Sequence, residues 1–232
     1  MITTPNAECI LSAQYMSFSV SNRACYCSDD NTDTYQYLLT QTYPWLYPTV
    51  NCTPIIRTAT GVTNLTCVTG CSTDGGYVTH PISTATDCIS YNTSLGMLTS
   101  EQSVNTTLNE TAYFWLAFQG KAWRGLDKSA ASSSQWSIVS LIDLRQRSDG
   151  LINTPPVGQV TSAQYVLVNQ TALIKIQVSD VNVNDNIRCL WASKNSTYRV
   201  NECGDACGMG NASTQTNLSD CTLTITPKQL GA

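Results

Sequence analysis

The chain has 232 residues, enough for one large domain or two ordinary domains that each bury a core. Its net charge is −4 and its pI is near 4.8, and its 12 basic residues are scattered, which argues against a nucleic-acid partner because a phosphate backbone is held by clustered Lys and Arg. No apolar run approaches the roughly 20 residues that span a bilayer, so we expect no membrane span.

The first predicted element is a strand over residues 10–20. Small polar and apolar side chains alternate from residue 14 onward, so that Met16, Phe18 and Val20 share one face. This segment is either the first strand of its own domain or an assembly strand donated to another copy of the chain.

The region from Cys25 to Cys88 holds six cysteines among Gly, Pro, Asn and Asp and has little periodicity. We interpret it as a loop-rich lobe pinned by disulfides. The aromatic segment 43–48 within it is either part of a core or an exposed platform on which sugar rings stack.

Two apolar runs, residues 112–118 and 135–144, have the length of strands and are predicted to pair in a sandwich. Residues 147–150 then predict a tight turn in which Gly150 has a positive φ, and residues 153–156 break regular structure. We place a domain boundary at this break. The predicted domains are a cysteine-rich β domain over 1–152 and an immunoglobulin-like domain over 153–232.

Four strands are predicted after the boundary, at 165–168, 173–178, 187–191 and 221–226, because these segments alternate and are β-branched. The fold class is therefore all-β, a cysteine-rich β lobe followed by an immunoglobulin-like β-sandwich. A sandwich of that type needs about seven strands, so we expect it to be incomplete in one chain. Trp191, two residues after Cys189, is expected to be buried against a disulfide.

N-glycosylation sequons are the strongest motif. Nine Asn-x-Ser/Thr triplets are present, more than chance produces. The weakest, at Asn51, has Cys52 in its middle position. The predicted glycan sites are Asn64, Asn92, Asn105, Asn109, Asn169, Asn195, Asn211 and Asn217.

Eleven cysteines indicate an oxidising compartment, and we expect an extracellular protein, secreted or at the cell surface. The opening residues lack the features of a secretory signal, so Met1 is expected to begin a processed chain. Seven cysteines precede the boundary and four follow it, so one in the first domain has no partner there, and Cys9 is the natural candidate. Disulfides are predicted, with the pairings left open, at Cys25, Cys27, Cys52, Cys67, Cys71, Cys88, Cys189, Cys203, Cys207 and Cys221.

No catalytic or metal site is predicted, and we expect neither an enzyme nor a cofactor. The single histidine, His80, lies next to Pro81 in the cysteine-rich region and has no recognisable partners for proton transfer. The two Cys-x3-Cys pairs could bind zinc by spacing, but outside the cell they are interpreted as disulfide partners. Calcium remains an alternative at the turn with oxygen-bearing side chains at Asp180, Asn182, Asn184 and Asp185.

The Asp-rich turn, the Cys-x-Trp of Cys189 and Trp191, and the later cysteines resemble cadherin-like and polycystic-kidney-type immunoglobulin-like domains. More narrowly, residues 111–226 resemble an uncharacterised module of secreted and cell-surface invertebrate proteins. The resemblance implies an immunoglobulin-like fold and no chemistry.

These observations favour a structural subunit of a glycosylated extracellular fibre or coat, with copies of itself and its N-linked glycans as partners. Head-to-tail assembly by donation of the N-terminal strand would complete the second domain. The alternative is a lectin-like or adhesive ectodomain.

Overall fold

A computed structural model describes residues 2–4, 17–21, 34–57, 62–94, 96–121, 135–150, 152–159, 166–180, 182, 185–194, 200–202 and 214–227. The chain is all-β with several disulfides, as predicted, and two short 3₁₀ helices, Cys71–Thr73 and Tyr77–Thr79, are its only helices in the described ranges. No helix in those ranges is long and apolar enough to cross a membrane. The strands are β1 (Ile2–Thr4), β2 (Ser17–Ser21), β3 (Thr34–Leu46), β4 (Thr66–Thr69), β5 (Asp87–Asn92), β6 (Met97–Asn109), β7 (Tyr113–Lys121), β8 (Gln135–Asp143), β9 (Val157–Gln159), β10 (Ala172–Lys175), β11 (Gln177–Ser179), β12 (Cys189–Trp191), β13 (Thr214–Ser219) and β14 (Thr222–Pro227).

The first sheet of the N-terminal lobe, here called sheet 1, has the order β2-β3-β6-β5, and its centre is the long antiparallel pair β3 and β6. The interpretation of residues 25–88 as loop-rich was therefore wrong for 34–46, which form a 13-residue strand. Tyr37, Leu39 and Tyr43 alternate on its buried inner face, and the polar Gln41 between them interrupts the apolar pattern. Gln41 is fully buried, and its hydrogen bonds offset the cost of burying a polar side chain. Its Nε2 donates to the backbone oxygen of Ser83 at 2.7 Å, and its Oε1 accepts from the hydroxyl of Tyr43 at 2.6 Å.

Sheet 2 has the order β4-β7-β8, and the predicted pairing of 112–118 with 135–144 is confirmed by the antiparallel register of β7 with β8. Sheets 1 and 2 enclose one aromatic core. The ring of Phe118 lies 5.1 Å from that of Tyr43 and 4.8 Å from that of Trp136, and Gly120 leaves room for the Trp136 indole. The N-terminal lobe is thus built around the contact between the two sheets.

The junction between the lobes contains the predicted tight turn. The Gly150 N–H donates to the Arg147 oxygen at 2.9 Å, and the φ of Gly150 is 80°. The C-terminal lobe also contacts sheet 2 beyond the turn, because Val200 is buried against Ala117 and Val139 on the face opposite the aromatic core. The two lobes are therefore in contact at Val200 as well as joined through residues 153–156.

The C-terminal lobe contains the antiparallel sheet β10-β14-β13 and the pairs β9 with β11 and β1 with β12. Its core is small: Ile174, Leu223 and Ile225 are buried, and Trp191 packs against them half-buried. Cys189, two residues before Trp191, is bonded to Cys221.

Three strand predictions need correction here. In 165–168, the described residues from Val166 onward form a loop and turn, and Val166 contributes only a side chain to the core. The segment 173–178 is divided, because β10 pairs with β14 whereas β11 pairs with β9. Cys221 lies in the two-residue turn between β13 and β14, and β13 itself was not predicted. Both turn residues, Asp220 and Cys221, have positive φ, as a type I′ hairpin requires.

Candidate functional site

The outer face of sheet 1 is polar and carries two sequons. Asn105 and Asn109 are exposed residues of β6, at alternate positions that point away from the core. They are four positions apart, about 13 Å along the strand. Leu38 of β3 lies directly opposite Asn105, and in the neighbouring pair of the same face Thr40 Oγ1 and Ser103 Oγ are 2.9 Å apart. This face can carry two glycans side by side without covering any apolar core residue.

The other described sequons occupy several positions. Asn92, the last residue of β5, and Asn169, in a turn with φ 61°, are exposed, and so is Asn51. Asn64 is half-buried and pairs in an isolated bridge with Ser83. Asn217 lies in β13 opposite Thr224. Asn195 and Asn211 lie outside the described residues.

Three disulfides join cysteines that the sequence singled out: Cys52–Cys88, Cys67–Cys71 and Cys189–Cys221. The second is the short pair for which zinc was the alternative. These bonds use six of eleven cysteines, so five remain, an odd number. At least one cysteine therefore has no disulfide partner within its own chain. The five are Cys9, Cys25, Cys27, Cys203 and Cys207, all outside the described residues.

The aromatic segment 43–48 divides between the core and the surface. Tyr43 is fully buried, and burial raises its pKa. The Trp45 indole packs against the same core, and its Nε1 donates to Ser100 Oγ at 2.7 Å. Tyr47 instead stacks on Tyr91 of β5, with ring centroids 5.3 Å apart and planes at 28°, and Tyr91 is 58 % exposed.

In the turn considered for calcium, the described oxygen-bearing side chains have hydrogen-bond or ion-pair partners within the protein. The carboxylate of Asp180 accepts from the Asn182 N–H at 2.8 Å, and the amide oxygen of Asn182 accepts from the Thr154 N–H at 2.8 Å. Asp185 forms a 2.9 Å ion pair with Arg147. The guanidinium thus occupies the place of a cation beside this carboxylate, and Asn184 lies outside the described residues. No cluster of three or more His, Cys, Asp or Glu suited to a metal occurs in the described part of the chain.

His80 follows the second 3₁₀ helix on the surface. Its Nδ1 lies 2.9 Å from the hydroxyl of the adjacent Thr79, which also contacts the Gly76 oxygen at 2.6 Å. These are local contacts within a turn. The void between the two sheets measures about 10 Å³, room for no more than a water molecule, so this core is filled by its own side chains.

Glu202, which precedes Cys203, is a buried acid for which no role is predicted from the sequence. Its carboxylate accepts from the Ser193 N–H at 2.9 Å, and its own N–H donates to the Ser193 oxygen at 3.0 Å. Burial raises the pKa of Glu202, and the hydrogen bond from Ser193 opposes that shift. A lone Glu beside a cysteine carries no signal in the sequence that would have identified it.

Two strand edges bear on assembly. β1 pairs in parallel with β12, Ile2 opposite Cys189 and Thr4 opposite Trp191, so the C-terminal lobe takes a strand from the other end of the chain. β2, which includes Phe18 and Val20 of the predicted assembly strand, pairs with β3 in its own lobe, the alternative that the sequence left open. Met16 lies outside the described residues.

The chain was compared with protein-family models, with curated proteins and with solved structures, and none of them matches. The functional assignment therefore rests on the residues and contacts described above.

Proposed function

We propose that the chain is a structural subunit of an extracellular, N-glycosylated fibre or coat, in which copies are joined by exchange of the N-terminal strand. The observation that carries this proposal is the parallel pairing of β1 with β12. A strand that completes a distant lobe of its own chain can make the same contacts with that lobe in a neighbouring copy.

The connection between β1 and β2 is long enough for β1 to extend to a neighbouring copy. β2 is held in sheet 1, and residues 5–16 join it to β1. A chain of that length spans up to about 40 Å when extended. Since each copy has one β1 and one β12, the exchanged contact is head-to-tail, and it propagates into a filament unless it closes into a ring. Relative to the expectation from sequence, the donor is residues 2–4 rather than 10–20.

An extracellular location is supported by the disulfides and by the exposed sequons of sheet 1. The odd number of remaining cysteines leaves at least one cysteine for a covalent link between copies. Cys9 lies between β1 and β2, in the segment that would cross from one copy to the next.

The test is Thr3→Pro, with Thr3→Val as its control. Proline removes a backbone donor from the β1 ladder, whereas valine keeps both the donor and a β-branched side chain. We expect Thr3→Pro to give folded single copies and Thr3→Val to assemble as the parent does, measured by light scattering after size exclusion and by negative-stain microscopy. Assembly of Thr3→Pro at the parent's level, or a parent that is only monomeric, would contradict the proposal.

A lectin-like or adhesive function is the second candidate, favoured by the exposed ring of Tyr91, which stacks on the half-buried Tyr47. It predicts that the parent binds immobilised glycans and that Tyr91→Ala does not. If the parent binds no glycan on a broad array, this candidate function is wrong.

A further inference from the structure

β5 forms one edge of sheet 1, and only half of that edge is covered. Ile56 and Thr86 exchange backbone hydrogen bonds of 2.7 and 3.1 Å, and the Cys88 N–H donates to the Thr53 oxygen at 3.3 Å. The disulfide from Cys52 to Cys88 holds this covering segment in place. Beyond Cys88, no strand in the described part of the chain pairs with the outer side of β5.

The uncovered half carries two exposed apolar side chains. Ile89 and Tyr91 are each 58 % exposed, and residues 88–94 contain no charged side chain and no proline. Proteins normally protect an open edge with lysine, proline or a bulge. A bulge is present at Ile89, but Ile89 and Tyr91 both stay more than half exposed, although the Tyr91 ring stacks on Tyr47.

An edge of this kind can pair with itself. If two copies met antiparallel about a two-fold axis at Ser90, Ile89 would face the partner's Tyr91 on each side of the axis. Cross-strand pairs of an aromatic with a β-branched side chain are favourable, and a two-fold contact forms both pairs at once.

The residue that ends this edge is Asn92, an exposed sequon asparagine directly after Tyr91 and about 10 Å along the strand from Ile89. We propose that the N-glycan on Asn92 shields the open half of β5 and prevents two copies from pairing there. In the two-fold arrangement both glycans would lie beside the same short contact, where their bulk and hydration oppose the approach of the strands. This inference rests on the proposed function, because it requires that the chain is N-glycosylated.

The test uses Ser90→Cys in the full chain, because directly opposed Cα atoms of an antiparallel pair lie at a distance that a disulfide can bridge. Ser90→Cys is combined with Asn92→Gln, and with Asn105→Gln as the matched control that removes one glycan from the same sheet. We expect a disulfide between two copies at position 90, identified by peptide mass spectrometry, to form at least about tenfold more in the Asn92→Gln protein. Adding Ile89→Lys should reverse the gain. Trimming the glycans of folded Ser90→Cys protein with an endoglycosidase gives the same readout without affecting folding.

Equal cross-linking with and without the Asn92 glycan would overturn the proposal, as would a gain that Ile89→Lys does not reverse. Glycopeptide analysis of natural material separates the two proposals. Glycans at Asn105 and Asn109 with none at Asn92 would end this inference alone, whereas the absence of glycans at every sequon would also end the proposed function.

Discussion

Among the described residues, the N-terminal lobe buries 14 apolar side chains in one cluster, whereas the core cluster of the C-terminal lobe has three. The strands differ in the same sense, since β3 and β6 each have 13 residues and the longest strands of the C-terminal lobe have six. A small core contributes little apolar burial, and such lobes depend on cross-links or on docking to a larger partner. The C-terminal lobe has both, the disulfide Cys189–Cys221 and the packing of Val200 on sheet 2.

The largest effect is expected from Phe118→Ala in the N-terminal core. Phe118 is fully buried and contacts two aromatic rings, so its truncation should cost about 3–5 kcal/mol of unfolding free energy. The control is Val78→Ala, which removes a side chain that is 58 % exposed and should change stability little. Chemical denaturation measures both. Equal losses would show that burial does not dominate this lobe.

The next effect concerns the disulfide of the C-terminal lobe. Its cysteines are separated by 32 positions, against four for Cys67–Cys71. Since the entropy lost by the unfolded chain grows with the closed loop, Cys189→Ala with Cys221→Ala should cost about 4 kcal/mol and Cys67→Ala with Cys71→Ala about 2 kcal/mol. Hydrogen exchange should show that removal of Cys189–Cys221 lowers the protection of backbone amides in β10 and β14. Protection that persists there after removal of Cys189–Cys221 would mean that the small core suffices.

Gly70 in the packed N-terminal lobe and Gly150 at the open junction have similar φ angles, so the same substitution at both positions compares the two environments. A Cβ on Gly70, φ 75°, would lie 2.7 Å from the Tyr113 carbonyl oxygen, whereas one on Gly150, φ 80°, would meet nothing within 4 Å. Gly150→Ala should therefore cost only the left-handed backbone strain, about 1–2 kcal/mol, and Gly70→Ala about 2–4 kcal/mol. Thermal or chemical unfolding measures the stability of both variants, and a larger loss of stability for Gly150→Ala than for Gly70→Ala would contradict this expectation.

The smallest effect is a dependence on pH within the C-terminal lobe. Because burial raises the pKa of Glu202, the folded chain holds this proton more tightly than the unfolded chain does. The stabilisation from this proton is complete below the unfolded pKa and is lost as pH rises through the folded pKa. Glu202→Gln, which keeps an acceptor for the Ser193 N–H, should flatten that dependence, measured as melting temperature between about pH 4 and 7. An unchanged slope in Glu202→Gln would refute the assignment.

Local pattern and turn chemistry were enough to predict several elements. The apolar runs at 112–118 and 135–144 form the pair β7 and β8, and the turn at 147–150 has its glycine at positive φ, because strand periodicity and turn geometry depend on adjacent residues. The cysteine count and the sequons likewise follow from sequence alone.

Which strands pair and which cysteines are bonded depends on contacts between residues far apart in the sequence, so only the tertiary structure identified these partners. Residues 34–46 are a central strand because sheet 2 buries one of their faces and because Ser83 and Tyr43 satisfy Gln41, neither of which is visible in the segment itself. The pairing of Cys189 with Cys221 and of β1 with β12 depends in the same way on which segments the fold brings together. A short strand has the same local signal whichever edge it joins. The sequence therefore left open whether residues 10–20 stay in their own domain or are donated to another copy, and the fold determined that β2 stays in sheet 1 and that β1 pairs with β12.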